Sequence, residues 1–272
     1  MFLSVILPLT ALNTPAPEAN HFFGREAHAL FLNLVQNADP LLAAALHEPR
    51  GDKPFTVSGL TPVKRGAGMI RAGQTYEWRI TSFEPRLSAL LSHQVLPHLL
   101  PQVRLGAAQF QVGAPLTEQQ QHPWAGASDA RALVRKWFDE TPRVEKRITL
   151  QFASPTAYRH IHRNILVPNP EALWAGYLAA WNAHSAPRFE DDLIAQVAQN
   201  VALTRYALNT ERADFAEYRE TGWVGTGTFT IFSGEIALCR VLHLLADFAF
   251  YCGTGYKTTQ GMGQTRRLEQ KT

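Results

Sequence analysis

The sequence predicts an α+β protein built from two tandem split βαβ units. Three observations carry that expectation. The chain has 272 residues, 46% hydrophobic and 18% charged, enough apolar material for sizeable cores and too little charge for wholesale disorder. Apolar patterns of period 2 and period 3.6 follow one another in the order β-α-β-β-α-β over the first half. The same order returns in the second half, as a repeat of pattern with little residue identity.

Residues 1–7 read as a strand. Met1 to Leu9 looks like the apolar part of a signal sequence, but no Lys or Arg precedes it and the first basic residue is Arg25. A signal sequence needs a positive leading region, so a buried first strand is expected. Residues 25–37 place Leu30, Phe31, Leu34 and Val35 on one helical face; Pro40 interrupts, and Leu41 to Leu46 continue as further helix. Phe55 to Leu60 and Met69 to Phe83 read as extended segments around the turn Arg65-Gly66-Ala67-Gly68. Leu87, Leu90, Leu91 and Val95 mark a second helix ended by Pro97, and Val103 to Val112 a strand.

A connection over Gln119 to Glu140, with a helix at Arg131 to Phe138, leads into the second half. There Ile148, Leu150 and Phe152 alternate with Thr149 and Gln151, a strand pattern. Asn169-Pro170 is a cap and first-turn pair for a helix striped with Leu173, Trp174, Tyr177, Leu178 and Trp181. Val201 to Leu208 and Trp223 to Phe232 are strand-like, Gly234 to Phe250 is a buried helix, and Gln264 to Leu268 is a short last strand. The expected domains are therefore residues 1–122, a connecting segment 123–145, and residues 146–272. Each domain is expected to be ferredoxin-like, the arrangement also found in RNA-recognition modules.

Charge excludes little by its total and more by its distribution. The net charge is +3, too weak to announce nucleic-acid binding. Basic residues gather, however, at Arg50, Lys53, Lys64, Arg65, Arg71 and Arg79, and again from Lys257 to the end. Local basic patches suit a polyanion. Cys239 and Cys252 form no CxxC and no zinc spacing; buried free thiols and a reducing cytoplasm are expected. No apolar stretch is long enough to span a membrane, since the longest, Ile236 to Phe250, carries Arg240, His243 and Asp247. The tryptophans read mostly as core anchors.

The segment Gly253-Thr254-Gly255-Tyr256-Lys257-Thr258-Thr259-Gln260-Gly261-Met262-Gly263 follows an apolar helix and leads into Arg266-Arg267. Glycines permit positive φ and close backbone approach, and successive N–H groups in such a loop make a concavity for anionic oxygens. The pattern is neither a P-loop nor a dinucleotide fingerprint. On glycine content alone, a phosphate site and a tight structural connection both remain open.

Four segments, taken together and in order, resemble the sixth CRISPR-associated protein family, endoribonucleases of the RAMP superfamily that cut CRISPR repeat RNA into guide RNAs. They are the loop Gly253 to Gly263; Leu46-His47-Glu48-Pro49-Arg50-Gly51-Asp52-Lys53-Pro54-Phe55-Thr56-Val57-Ser58; Leu150-Gln151-Phe152-Ala153-Ser154-Pro155-Thr156-Ala157-Tyr158; and Leu166-Val167-Pro168-Asn169-Pro170 with Trp181-Asn182. The resemblance implies metal-independent attack of a ribose 2′-OH on the adjacent phosphorus, leaving a 2′,3′-cyclic phosphate and a 5′-OH, with no cofactor. It implies His47 as base and Lys53 as the stabiliser of transition-state charge. Some members carry a tyrosine in the first helix; here His28 stands there as the assisting residue, with Tyr76 a remote alternative. RNA grip is expected from Lys257, Arg266, Arg267, Gly255 and Gly261, and from Arg159, His160 and Arg163. His160 and His162 share one side of a strand, but no third ligand stands nearby and no metal is expected.

The expected partner is CRISPR repeat RNA, with other effector-complex subunits possible, no membrane, and a monomer or homodimer. Two other readings stay open on the residues: a non-catalytic RNA-binding scaffold subunit, and a small-ligand protein whose glycine loop holds a nucleotide phosphate.

Overall fold

The structure, a computed structural model, describes residues 1–16, 22–48, 53–63, 69–190 and 192–269. The expected turn Arg65-Gly66-Ala67-Gly68, Lys64, and the stretch Pro49-Arg50-Gly51-Asp52 lie outside the described residues. The chain divides into two compact α+β units. The first comprises residues 1–127, 213–220 and 259–261, and the second residues 128–212, 221–258 and 262–272.

In the first unit the elements run β1 (Phe2–Ala11), α1 (Gly24–Ala38), α2 (Pro40–His47), β2 (Phe55–Val57), β3 (Thr61–Pro62), β4 (Thr75–Ser82), α3 (Pro85–Leu90), β5 (Gln102–Leu105), β6 (Ala108–Val112) and β7 (Gly126–Ser128). The main sheet order is β2-β4-β1-β6-β5. Nearly all of β1 is buried, which is why its sequence reads as a continuous apolar run rather than an alternation. Pro40 does not merely interrupt the first helix. Asp39 leaves helical geometry and its carboxylate accepts from Leu42 N at 2.9 Å, so Asp39-Pro40 starts a second helix. The segment Val103 to Val112, expected as one strand, is instead a hairpin, β5 paired with β6, turning at Gly106 with φ +56°.

In the second unit the order is α4 (Ala130–Arg135), β8 (Arg147–Thr156), β9 (Tyr158–His160), β10 (Arg163–Ile165), α5 (Pro170–His184), α6 (Leu193–Asn200), β11 (Val201–Asp214), β12 (Arg219–Ile231), α7 (Ile236–Cys252) and β13 (Thr265–Leu268). The sheet order is β11-β12-β8-β13. Both units thus share one topology: the first strand lies between the third and fourth of the βαββαβ series, and the second lies outside the third. Asn169 caps α5 as expected, its side chain accepting from Ala172 N at 2.9 Å. The β9–β10 hairpin and the eight-residue α6 are short and are additions to the expected plan.

Alternation on β8 decides which residues reach the core. Ile148, Leu150 and Phe152 are buried, whereas Thr149 and Gln151 face the other way. On that opposite face Thr149 bonds Thr228 at 2.9 Å and Gln151 accepts from Arg266 at 2.7 Å. Arg267, one residue on, points to the helix side. There the Asp247 carboxylate of α7 accepts from Arg267 Nε at 2.5 Å, Lys136 Nζ at 2.7 Å and Trp137 Nε1 at 2.8 Å. Burial alone would raise the Asp247 pKa, but Arg267 and Lys136 outweigh it and hold the carboxyl below its ordinary range. Cys239 and Cys252 are free and buried, and burial raises the pKa of both thiols. Among the described residues no helix is long and apolar enough to cross a membrane.

Asp247→Ala leaves two cations without their shared carboxylate at a largely enclosed site, so it should cost about 3 kcal/mol of unfolding free energy, read by urea denaturation. The folded-state pKa lies below the unfolded value of about 3.9. The ionised form therefore contributes stability above that pH, and the contribution is lost as pH falls through the folded value. Asp247→Asn should flatten this acid limb of the stability profile.

Candidate functional site

In the first unit α1, α2 and the start of β2 bring the expected catalytic residues together. Phe31 of α1 stacks on Phe55 of β2, with centroids 4.2 Å apart. His28, one turn earlier on α1, lies over the same ring at 5.8 Å and 22°. The apolar packing of α1 on β2 thereby sets the plane of the His28 imidazole. Its Nδ1 lies 2.9 Å from the carbonyl oxygen of Thr259, a glycine-loop residue 231 positions away. A carbonyl only accepts, so Nδ1 carries the proton, and in the neutral ring Nε2 holds the lone pair.

His47 is the last residue of α2 and is exposed. Lys53, just before β2, lies partly buried, and its Nζ donates to the carbonyls of Leu46 at 2.5 Å and Glu48 at 2.6 Å. It thereby caps the helix end that carries His47, where uncompensated carbonyls favour a cation. Desolvation is the largest influence on His28 and lowers its pKa; the Thr259 carbonyl opposes this, and the nearby His47 and Lys53 lower it further. His47 and Lys53 thus both act electrostatically on His28. Tyr76, the remote alternative, is excluded from this cluster: it is 1% exposed and its hydroxyl is engaged with Met69 and Gln74.

The glycine loop is held on both of its flanks by backbone contacts. Tyr256 N donates to Ala157 O at 2.8 Å and Gly263 N to Pro155 O at 3.0 Å, so the loop grips the Ser-Pro-Thr segment. Gly255 has φ +78°, and a Cβ there would stand 2.4 Å from Ala157 O. Gly261 has φ +96° and pairs with Ser58, and a Cβ would stand 2.6 Å from Phe22 Cε1 and 2.7 Å from Gly59 N. Both glycines serve backbone approach within the fold. Under the loop, Tyr177 Oη, Thr254 Oγ1 and Thr265 Oγ1 form a buried chain at 2.6 and 2.7 Å.

The expected RNA-gripping residues are divided. Arg159 of β9 and Lys257 both lie over the ring of Tyr256, at 5.8 and 5.2 Å, which places two cations on one aromatic. His160 and Arg163 are paired across the exposed β9–β10 hairpin. Arg266 lies half-buried on the sheet face away from the helices, and burial lowers its pKa. The expectation that Arg266 and Arg267 act as a pair is corrected: strand alternation puts them on opposite faces, and Arg267 belongs to the Asp247 cluster, with Trp137 beneath it at 4.9 Å. Arg79, counted as part of a basic patch, is 4% exposed, donates to Ser4 Oγ at 2.9 Å and stacks on Trp124 at 4.8 Å; it is an interior residue of the first unit. Among the described residues no three His, Cys, Asp or Glu side chains gather to hold a metal ion. The contribution that sequence reasoning missed is the Thr259 carbonyl, a backbone atom that leaves no trace in residue type.

Two family models match the chain, one described as CRISPR-associated endoribonuclease Cas6 over residues 150–265 and one as the CRISPR Cas6 N-terminal domain over residues 1–134. Among curated proteins, the CRISPR-associated endoribonuclease Cas6 of Streptococcus thermophilus is 24% identical over 122 residues, 44% of this chain and 50% of that protein. That of Mycobacterium tuberculosis is 25% identical over 122 residues, 44% of this chain and 38% of the relative. The matched region thus spans half or less of these curated relatives. Among solved structures, a Cas6 product complex superposes with a TM-score of 0.81 at 25% identity, covering 98% of this chain and 100% of that one. Thermus thermophilus Cas6 gives 0.72 at 26% identity over 98% of each chain. The four segments singled out in the sequence all fall inside the two matched regions.

Nitrogen-15 NMR of the histidines checks the His28 geometry. The expected result is an Nδ1-protonated tautomer that titrates below the ordinary histidine value of about 6.5. The neutral form then contributes stability above that pH, fading as pH falls toward the folded value. Gly261→Ala, which must displace backbone to fit, should remove the tautomer preference and cost about 1–3 kcal/mol of stability.

Proposed function

The chain belongs to the CRISPR-associated endoribonuclease Cas6 family, and from that premise we propose that it cuts CRISPR repeat RNA by metal-independent transphosphorylation. The observation that carries the reading is the gathering of His28, His47, Lys53 and the Thr259 carbonyl in one unit, from segments at opposite ends of the chain. His47 removes the proton from a ribose 2′-OH, and the oxygen attacks the adjacent phosphorus in line. The 5′ oxygen leaves, giving a 2′,3′-cyclic phosphate and a 5′-OH. Lys53 offsets the charge that grows on the phosphorane-like transition state, where electrostatic stabilisation counts most. Its hold on the Leu46 and Glu48 carbonyls also fixes the helix end that presents His47. His28, whose Nδ1 donates to Thr259, offers the Nε2 lone pair as an assisting acceptor, and the leaving 5′ oxygen takes its proton from solvent water.

Arg159, Lys257 and Arg266, with His160 and Arg163 on the hairpin, supply cationic and hydrogen-bonding contacts to the RNA backbone. Gly255 and Gly261 act through the loop they shape rather than by direct contact. Arg267 is assigned to the fold.

Incubation with a panel of CRISPR repeat RNAs in EDTA, with mapping of the product ends, tests the reaction class. The expected result is one discrete cut with a 2′,3′-cyclic phosphate; a requirement for added divalent metal, or a 3′-OH product, overturns the mechanism. His47→Ala should lower the cleavage rate by roughly 10²–10⁴ and leave RNA affinity nearly intact. In the wild-type pH profile of kcat/KM, an inflection below about pH 6.5 is expected from His28, and His28→Ala should lack it. Lys257→Ala and Arg266→Ala should weaken RNA binding and reduce the slope of log Kd against log salt by about 1 each; unchanged slopes would make the loop and β13 purely structural.

A further inference from the structure

The second unit contains a pocket of about 380 Å³, within the range of small-ligand sites. Ala172, Gly176 and Ala180, spaced one turn apart on α5, form one wall, and Tyr158, Arg159 and Tyr256 form much of the other. Three features mark it as more than a packing gap.

The first is Gly176. It sits in the interior of α5, where glycine costs about 1 kcal/mol relative to alanine. A Cβ there would meet nothing within 4 Å, so no neighbour in the fold requires its smallness. What the missing side chain provides is depth in the pocket. The second is Tyr158, which lines the pocket and whose hydroxyl is buried with no hydrogen-bond partner among the described residues. A buried hydroxyl without a partner is costly, and rotation of the Tyr158 side chain into the pocket would let the polar edge of a ligand relieve it. The third is the rim. Arg159 and Lys257 lie over the Tyr256 ring at 5.8 and 5.2 Å, and no carboxylate lines the pocket. A flat aromatic wall beside two cations, above an apolar floor of small side chains, suits a planar base joined to an anionic phosphate.

We propose that this pocket receives one unpaired nucleobase of the bound RNA, with its phosphate on Arg159 and Lys257. The proposal rests on the RNA-binding reading above and adds a specificity-determining site to it. The base would stack against Tyr256 and lie along the α5 groove that Gly176 opens.

The test measures Kd for the repeat RNA that the wild-type protein cleaves, and for a set of the same RNA with a single abasic residue at each unpaired position. One position should weaken binding about tenfold, as expected for loss of a stacked base. Gly176→Leu, which fills the pocket with a better helix former, should raise Kd for the intact RNA about tenfold. In that variant the abasic substitution at the sensitive position should cost nothing further. Ala180→Leu fills the pocket from the next turn and should behave alike, and a melting temperature of Gly176→Leu at or above wild type shows that the fold is intact. Wild-type affinity in both filled variants, or an abasic penalty that persists in them, overturns the pocket while leaving RNA binding standing. A wild-type protein that binds no repeat RNA overturns the RNA reading and the pocket proposal together.

Discussion

The backbone-to-backbone packing of the glycine loop is the constraint on which the other functional features depend. Residues 253–258 and 262–263 lie against the end of β8, with Tyr256 N on Ala157 O and Gly263 N on Pro155 O. Side chains on this interface would have to displace main chain, which has nowhere to go in a strand already paired on both sides. That rigidity sets Tyr256 and Lys257 beside Arg159 in the second unit. Within the first unit, the Thr259 carbonyl selects the His28 tautomer. A loop whose sequence left a phosphate site and a tight connection both open thus acts first as a tight connection, packed against the Ser-Pro-Thr segment.

The basic residues of this protein divide into those committed to the interior and those on exposed or aromatic surfaces, and sheet geometry contributes to the division. Arg267 and Lys136 are committed to Asp247. Arg79 is committed to Ser4 and to the ring of Trp124. Arg267 and Arg79 are enclosed enough that losing a partner would leave a charge without compensation, which is far costlier than losing a surface ion pair. By contrast Arg163 and His160 stand exposed on a hairpin, and Arg159 and Lys257 lie over the ring of Tyr256.

Much of the fold was legible because its signals are periodic. The buried run of β1, the alternation of β8 and the apolar stripe of α5 each follow from the spacing of side chains on a strand or helix. The expected β-α-β-β-α-β order appears in both units with the same strand arrangement. What escaped was short or aperiodic: the three-residue strands β9 and β10, the helix α6, and the turn at Gly106 that folds an apparent single strand into a hairpin. At the site, the residue types of His28, His47 and Lys53 were visible, but their proximity was not. The opposite facing of Arg266 and Arg267 was in principle readable from strand alternation, yet required knowing that β13 has a helix on only one face. The Thr259 carbonyl had no signature in the sequence.

The chemistry open to this cluster follows from how each histidine is held. An imidazole can exchange protons productively only if the nitrogen facing the substrate is in a known state. For His28 the protein fixes that state without a carboxylate, by giving Nδ1 a carbonyl to donate to and by stacking the ring on Phe55. A carboxylate partner would stabilise the imidazolium and raise the pKa; a carbonyl does so only weakly, and here desolvation and the neighbouring Lys53 win. His28 is thereby kept neutral near physiological pH with Nε2 available. His47 is held differently, at the helix end to which Lys53 donates, and it stays exposed. One histidine is thus oriented by the interior, with a lone pair as its remaining function, and the other is presented from a surface terminus.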